Sequence, residues 1–208
     1  MISYPESSDV LSGLGPKVTR SLVRAVDLAA EDLLAYRTER PSWVAQSSER
    51  GLANWIHDRL WAHLTAELDG HPGVTLTDGE PTRELVVGIS YRLRVKRHRE
   101  DGQVSSYATQ TALEFFAQGT QEAFPGLDEV RLTAGYEWDP DTRKIGEAVL
   151  SLRNGQEKVV WLIPLREVGE GGAGGTVQPV RPTTPTPPLP SIDVPASAQQ
   201  DAMEDRST

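Results

Sequence analysis

Arg92, Arg94, Lys96 and His98 occupy every second position of one short stretch, and no other residues of this chain have types and spacing that suit chemistry so plainly. Side chains two apart on an extended strand share a face, so these four form a basic ladder about 20 Å long. Arginine forks bind phosphate and carboxylate in bidentate fashion, which suits the ladder to RNA, DNA or an acidic protein segment. A metal-independent ribonuclease needs a base, an acid and cations that stabilise a charged phosphorane. His98, Glu137 or Glu147, and Arg94 or Lys96 have the side-chain types for those roles. The competing expectation is structural: Glu137, Asp139 and Glu147 on later strands lie across from the ladder and pair with it. Polar-out alternation is what any half-solvated antiparallel sheet displays, and this favours pairing over ligand binding.

Other chemistries find less support. The four histidines (His57, His63, His71, His98) include no i, i+4 pair and no His-Glu-x-x-His spacing, so no metal is expected. The chain has no Cys, which excludes disulfides, thiolate ligands and a thiol nucleophile. It lacks a phosphate-binding Gly-rich loop ending in Lys-Ser or Lys-Thr, a Gly-x-Ser-x-Gly elbow and a dinucleotide fingerprint, so no cofactor is expected. Of the five tryptophans, Trp55 and Trp161 fit the core by periodicity. Trp43 precedes a helix and Trp61 falls off its helix's apolar stripe, so these two are the candidate anchors for a partner.

The elements that must position these residues can be read from the hydrophobic pattern. Pro16 suits a first helical position, and Val18, Leu22, Ala25, Val26, Ala29, Leu33 and Tyr36 recur at helical spacing up to a stop near Pro41. A second helix starts at Ser47 or Ser48 and carries Leu52, Trp55, Ile56, Leu60, Leu64 and Leu68 on one side, ending at Asp69-Gly70. From Arg83 the period becomes two, with Leu85, Val87, Ile89, Tyr91, Leu93 and Val95 alternating against the basic ladder as one strand. Asp101-Gly102 turns the chain, and Gln103–Tyr107 makes a short return strand. A short helix is expected within Thr109–Gln118, then strands over Glu129–Trp138, Ile145–Arg153 and Glu157–Leu165, the last two joined by an Asn154-Gly155 hairpin turn. The expected class is α+β: two N-terminal amphipathic helices packed on one face of a mainly antiparallel sheet of four to five strands.

Three segments follow: a flexible N-terminus over 1–15, one domain over 16–166, and a disordered Gly/Pro-rich acidic tail over 167–208. In the tail, Pro182, Pro185, Pro187, Pro188 and Pro190 make overlapping Pro-x-x-Pro patterns, which adopt polyproline II and dock on aromatic grooves. Up to Arg166 the chain carries 24 acidic and 19 basic side chains, an acidic balance that weighs against a general nucleic-acid binder. The N-terminal residues lack the basic and apolar regions of a secretory signal, and there is no 18-residue apolar run, so a cytoplasmic protein with no membrane contact is expected. Seventeen Arg against four Lys, with abundant Ala, Gly and Pro, suggest a bacterial high-GC source. The leading expectation is a non-enzymatic interaction or regulatory module with an unidentified protein partner, an accessory member of a small operon. The alternative is a nucleic-acid-binding protein or ribonuclease centred on the ladder.

Overall fold

The computed structural model describes residues 4–79, 82–104, 109–118, 129–155 and 157–166. The expected tail and most of the expected return strand lie outside these residues; of the latter, Val104 makes a single antiparallel bridge to His98.

Helix α1 spans Ser7–Glu39 and begins nine residues before the expected Pro16. Its first part follows from Val10, Leu14 and Val18, which repeat every fourth residue and are all buried. Pro16 clashes with a preceding helical turn, and Gly15 relieves this by leaving helical geometry at φ 79°. Residues 7–15, expected to be flexible, are therefore a helical segment packed on the core. The chain is held even ahead of it: Asn154 donates to the Tyr4 hydroxyl at 2.7 Å, and Trp161 Nε1 donates to the Pro5 carbonyl at 2.9 Å. A one-and-a-half-turn helix α2, Pro41–Gln46, precedes α3, Glu49–Leu68. The Ser48 hydroxyl caps α3 by accepting from Gly51 N at 3.0 Å, as its position before the periodic run foretold.

Six strands form one sheet in sequential order: β1 Val74–Gly79, β2 Thr82–Val87, β3 Tyr91–His98, β4 Val130–Asp139, β5 Lys144–Arg153 and β6 Val159–Leu165. The class is α+β as expected, with two departures. The run from Arg83 to His98 is a hairpin, β2 and β3, and not one strand. Gly88 turns the chain at φ 59°, Ile89 is 73% exposed, and Val87 pairs with Tyr91. A three-residue turn preserves parity, so the apolar alternation runs through it unbroken in sequence. The second departure is a parallel pair, β3 with β4, among antiparallel neighbours. Parallel strands need a crossover connection, and the connection here carries α4, Gln110–Phe116.

The two faces of the sheet are different. Leu93 and Val95 of β3, Leu132 and Tyr136 of β4, Leu150 and Leu152 of β5, and Trp161 and Ile163 of β6 join α1 and α3 in the main core. α1 runs antiparallel to β5, from Tyr4 at the Asn154 end to Arg37, which donates to the Arg143 carbonyl at the other end. The opposite face carries the basic ladder, and there α4 packs Phe115 and Phe116 with Val104 in a second small cluster.

Gly135 of β4 lies against Lys96 in the parallel register, and a Cβ there would fall far inside van der Waals contact with the Lys96 carbonyl oxygen. Replacing Gly135 with Ala should force β3 and β4 apart and cost more than about 3 kcal/mol of unfolding free energy. Replacing Gly155, whose Cβ would meet nothing within 4 Å, should cost about 1 kcal/mol through its positive φ alone. Urea unfolding of both variants checks the difference.

Candidate functional site

Arg92 and Arg94 do not face solvent as an open row. Antiparallel pairing sets Glu84 of β2 directly across from Arg94, and its carboxylate receives both arginines. Arg94 donates through Nε and Nη2 at 2.9 and 2.7 Å, and Arg92 donates through Nη1 at 2.5 Å. Arg92 Nε reaches Glu129 at 3.0 Å, which also accepts from Arg131 Nε at 3.2 Å. The charges thus alternate along Arg94, Glu84, Arg92, Glu129 and Arg131. The ring of Phe115 covers the Arg94 guanidinium at 4.0 Å. Burial alone raises the Glu84 pKa, but the hydrogen bonds from Arg94 and Arg92 outweigh it and hold the carboxyl below its ordinary value. Between this network and α4 lies a cleft of about 450 Å³, lined by these groups with Thr111 and Glu114.

The neutralising acids are therefore Glu84 and Glu129, not Glu137 and Glu147 as the sequence suggested. Glu137 is raised in pKa by burial and by the nearby Glu147 and Glu100 charges, so these acids repel one another. Glu147 pairs with Arg166 at 3.4 Å. Asp139 turns inward on its own loop, accepting from the backbone of Asp141 and Thr142 at 2.9 and 3.1 Å. Glu84 escaped the sequence reading because a single strand would have placed it beyond reach of Arg94. Gly88, read as a turn, was the signal that would have folded it back.

His98 is completely buried. Its Nε2 lies 3.1 Å from Ser151 Oγ and 3.4 Å from Thr133 Oγ1, two hydroxyls that also hydrogen-bond each other across β4 and β5. Burial, reinforced by the charge of Arg153, lowers its pKa to about 3. A neutral imidazole sealed among hydroxyls exchanges no proton with a substrate, so the acid–base set proposed for a ribonuclease is not assembled. Lys96, the remaining member of the ladder, is half-buried, and burial with the adjacent Arg94 charge lowers its pKa. Arg153 was not singled out from sequence. It is buried beside this group and donates to the Gly102 carbonyl at 2.6 Å and to Gln103 Oε1 at 2.8 Å.

The two candidate tryptophan anchors separate. Trp61 is buried, and its Nε1 donates to Asp78 of β1 at 3.1 Å, so it ties α3 to the sheet. Trp43 on α2 is 60% exposed, with Arg40 over its ring at 5.5 Å. The backbone beneath Trp43 is firmly held. A helix this short leaves its last carbonyls without partners, and Arg143, from the β4–β5 turn, reaches the carbonyls of Val44 at 3.1 Å and Ser47 at 2.9 Å. Its Nε meets Glu49, in the first turn of α3, at 3.1 Å. Nearby, Tyr36 in the last turns of α1 stacks on half-buried Trp55 of α3 with centroids 4.9 Å apart. Leu34 of α1 is 67% exposed.

Among the described residues, no group of three or more His, Asp or Glu is placed to hold a metal ion, and no helix is long and apolar enough to cross a membrane. Compared with known proteins, the chain matches no family model, and no curated protein or solved structure shows significant similarity to it.

The buried His98 has a measurable consequence. Its pKa is about 3 in the folded protein and ordinary, about 6.5, when unfolded, so below pH 6.5 the unfolded chain binds the extra proton. The stabilisation is complete above that pH and is lost as pH falls toward 3, by up to about 1.4 kcal/mol per unit. His57, also lowered by burial, acts in the same direction. Chemical denaturation at pH 7, 6 and 5 should show the decline, and His98→Gln should reduce its slope.

Proposed function

We propose that this chain is a non-enzymatic protein-interaction module and that it docks its partner at the corner built by the C-terminal end of α1, α2 and the start of α3. The observation that carries this reading is Trp43: a large ring left 60% exposed on a backbone whose end carbonyls are held by Arg143. Tryptophan is enriched at binding hot spots, and one presented on a rigid element loses little further entropy on binding. The Tyr36–Trp55 stack, one turn before α2 through the Tyr36 carbonyl bonded to Arg40 N, adds apolar surface where α1 and α3 meet.

The basic ladder supports the alternative poorly. Its two arginines are already committed to Glu84 and Glu129, and a phosphate would have to compete with those carboxylates for the same donors.

The test uses the tagged full chain recovered from its host cells as wild type, Trp43→Ala and Arg92→Ala. The same protein should be captured by wild type and Arg92→Ala, and at least about tenfold less by Trp43→Ala, the effect of losing a hot spot. Trp43→Ala should keep the thermal midpoint of the wild type because the ring covers little core. Equal capture by wild type and Trp43→Ala would contradict the assignment of this corner.

A further inference from the structure

The direction of β6 places the exit of the chain near that corner. β6 is antiparallel to β5, Leu165 pairs with Ala148, and Arg166 reaches Glu147 at 3.4 Å. Arg166 therefore lies at the end of the sheet at which β5 begins. Arg143, one residue before β5, sits at that same end and holds the carbonyls of α2. Four residues of strand separate Glu147 from Arg143, roughly 13 Å at strand rise. The contact of Arg143 with α2 then puts Trp43 within roughly 25 Å of the exit, allowing for a helix diameter of about 10 Å.

Twelve residues, 167–178, separate this exit from Pro179, and they include the run Gly169-Glu170-Gly171-Gly172-Ala173-Gly174-Gly175. A Gly-rich stretch of that length has a root-mean-square reach of roughly 20 Å, close to the span required. Effective concentration is greatest when linker reach matches the distance between sites, and it lies in the millimolar range for short linkers. In sequence, this stretch is followed by Pro182-Thr183-Thr184-Pro185-Thr186-Pro187-Pro188-Leu189-Pro190. Polyproline II segments bind by laying proline rings on exposed aromatic faces, and they lose little entropy because the conformation is preset.

We infer that the chain's own segment Pro182–Pro190 docks on the Trp43 corner and competes there with an external partner. This rests on the reading of that corner as the docking surface and adds its regulation: the partner gains full access when the segment is displaced.

The test uses the full chain and acrylamide quenching of tryptophan fluorescence. Trp43 is 60% exposed, Trp55 is half-buried under Tyr36, and Trp61, Trp138 and Trp161 are buried, so Trp43 is the most quenchable ring and Trp43→Phe isolates its contribution. The wild type is compared with a variant carrying Pro182→Ser, Pro185→Ser, Pro187→Ser and Pro188→Ser. A weak contact held at millimolar effective concentration is about half occupied, so the Stern–Volmer constant should rise about twofold in the variant. That difference should persist on dilution and disappear when Trp43→Phe is added to both chains. A peptide of residues 179–190 should restore protection to the proline variant. Equal quenching in wild type and variant would overturn the inference. A difference that vanishes on dilution would also overturn it, assigning the contact to the segment of a second copy. If quenching is equal while Trp43→Ala still loses its captured partner, the corner stands as the docking surface and only the self-docking fails.

Discussion

A strand that is covered on both faces while one of them carries Arg92, Arg94 and His98 needs partners for those groups inside the protein. β3 is such a strand. Burying a cation without a partner costs several kcal/mol, and a carboxylate held by several hydrogen bonds offsets much of that. The surrounding architecture can be followed from this requirement. β2 turns back at Gly88 and brings Glu84 against both arginines. Glu129, at the start of β4, receives Arg92 and Arg131. α4, in the crossover that the parallel β3–β4 pair demands, lays Phe115 over Arg94. His98 meets its need differently, staying neutral among the hydroxyls of Thr133 and Ser151.

Two places in the fold treat their exposed groups differently. On the polar face of the sheet, Arg92, Arg94 and Arg131 are taken up by Glu84 and Glu129, which ties β2, β3 and the start of β4 together. The corner at α2 does the reverse. There Arg143 is turned onto the backbone carbonyls of Val44 and Ser47 while pairing with the exposed Glu49, and the apolar ring of Trp43 is turned out. Arg143 adopts a left-handed φ of 51°, uncommon for a residue with a side chain, in the turn that makes this contact. The docking role proposed for the Trp43 corner rests on that combination of a held backbone and an exposed ring.

Much of this was legible in the sequence, for physical reasons that differ by element. The α3 helix was clear because a serine cap stands directly before a long apolar stripe, and the β5–β6 hairpin because Asn154-Gly155 names its turn. The β2–β3 hairpin was hidden because a three-residue turn leaves the alternation intact. β1 was hidden because Val74 and Leu76 are its only apolar residues, too few for a periodic signal. The start of α1 was misplaced because Pro16 is a genuine helical first position, though of a second segment behind the Gly15 kink. For the site, the ladder was visible as a pattern, but a pattern of charges says nothing about which acids face it. That depends on register, which the missed turn concealed. Trp43 stood out as a candidate before its exposure was known, and Trp61 with it; only tertiary packing against Asp78 separates them.

The arginines of the basic face, Arg92 and Arg94, are held from within by Glu84 and Glu129. The most direct test of this pairing is a titration of the purified chain with labelled single-stranded RNA and duplex DNA at low and moderate salt, with a check for cleavage products. No binding even at low salt and no cleavage are expected. Binding that weakens as salt rises and is lost on Arg92→Ala would contradict the pairing, because such behaviour requires phosphates to displace Glu84 and Glu129 from the arginines.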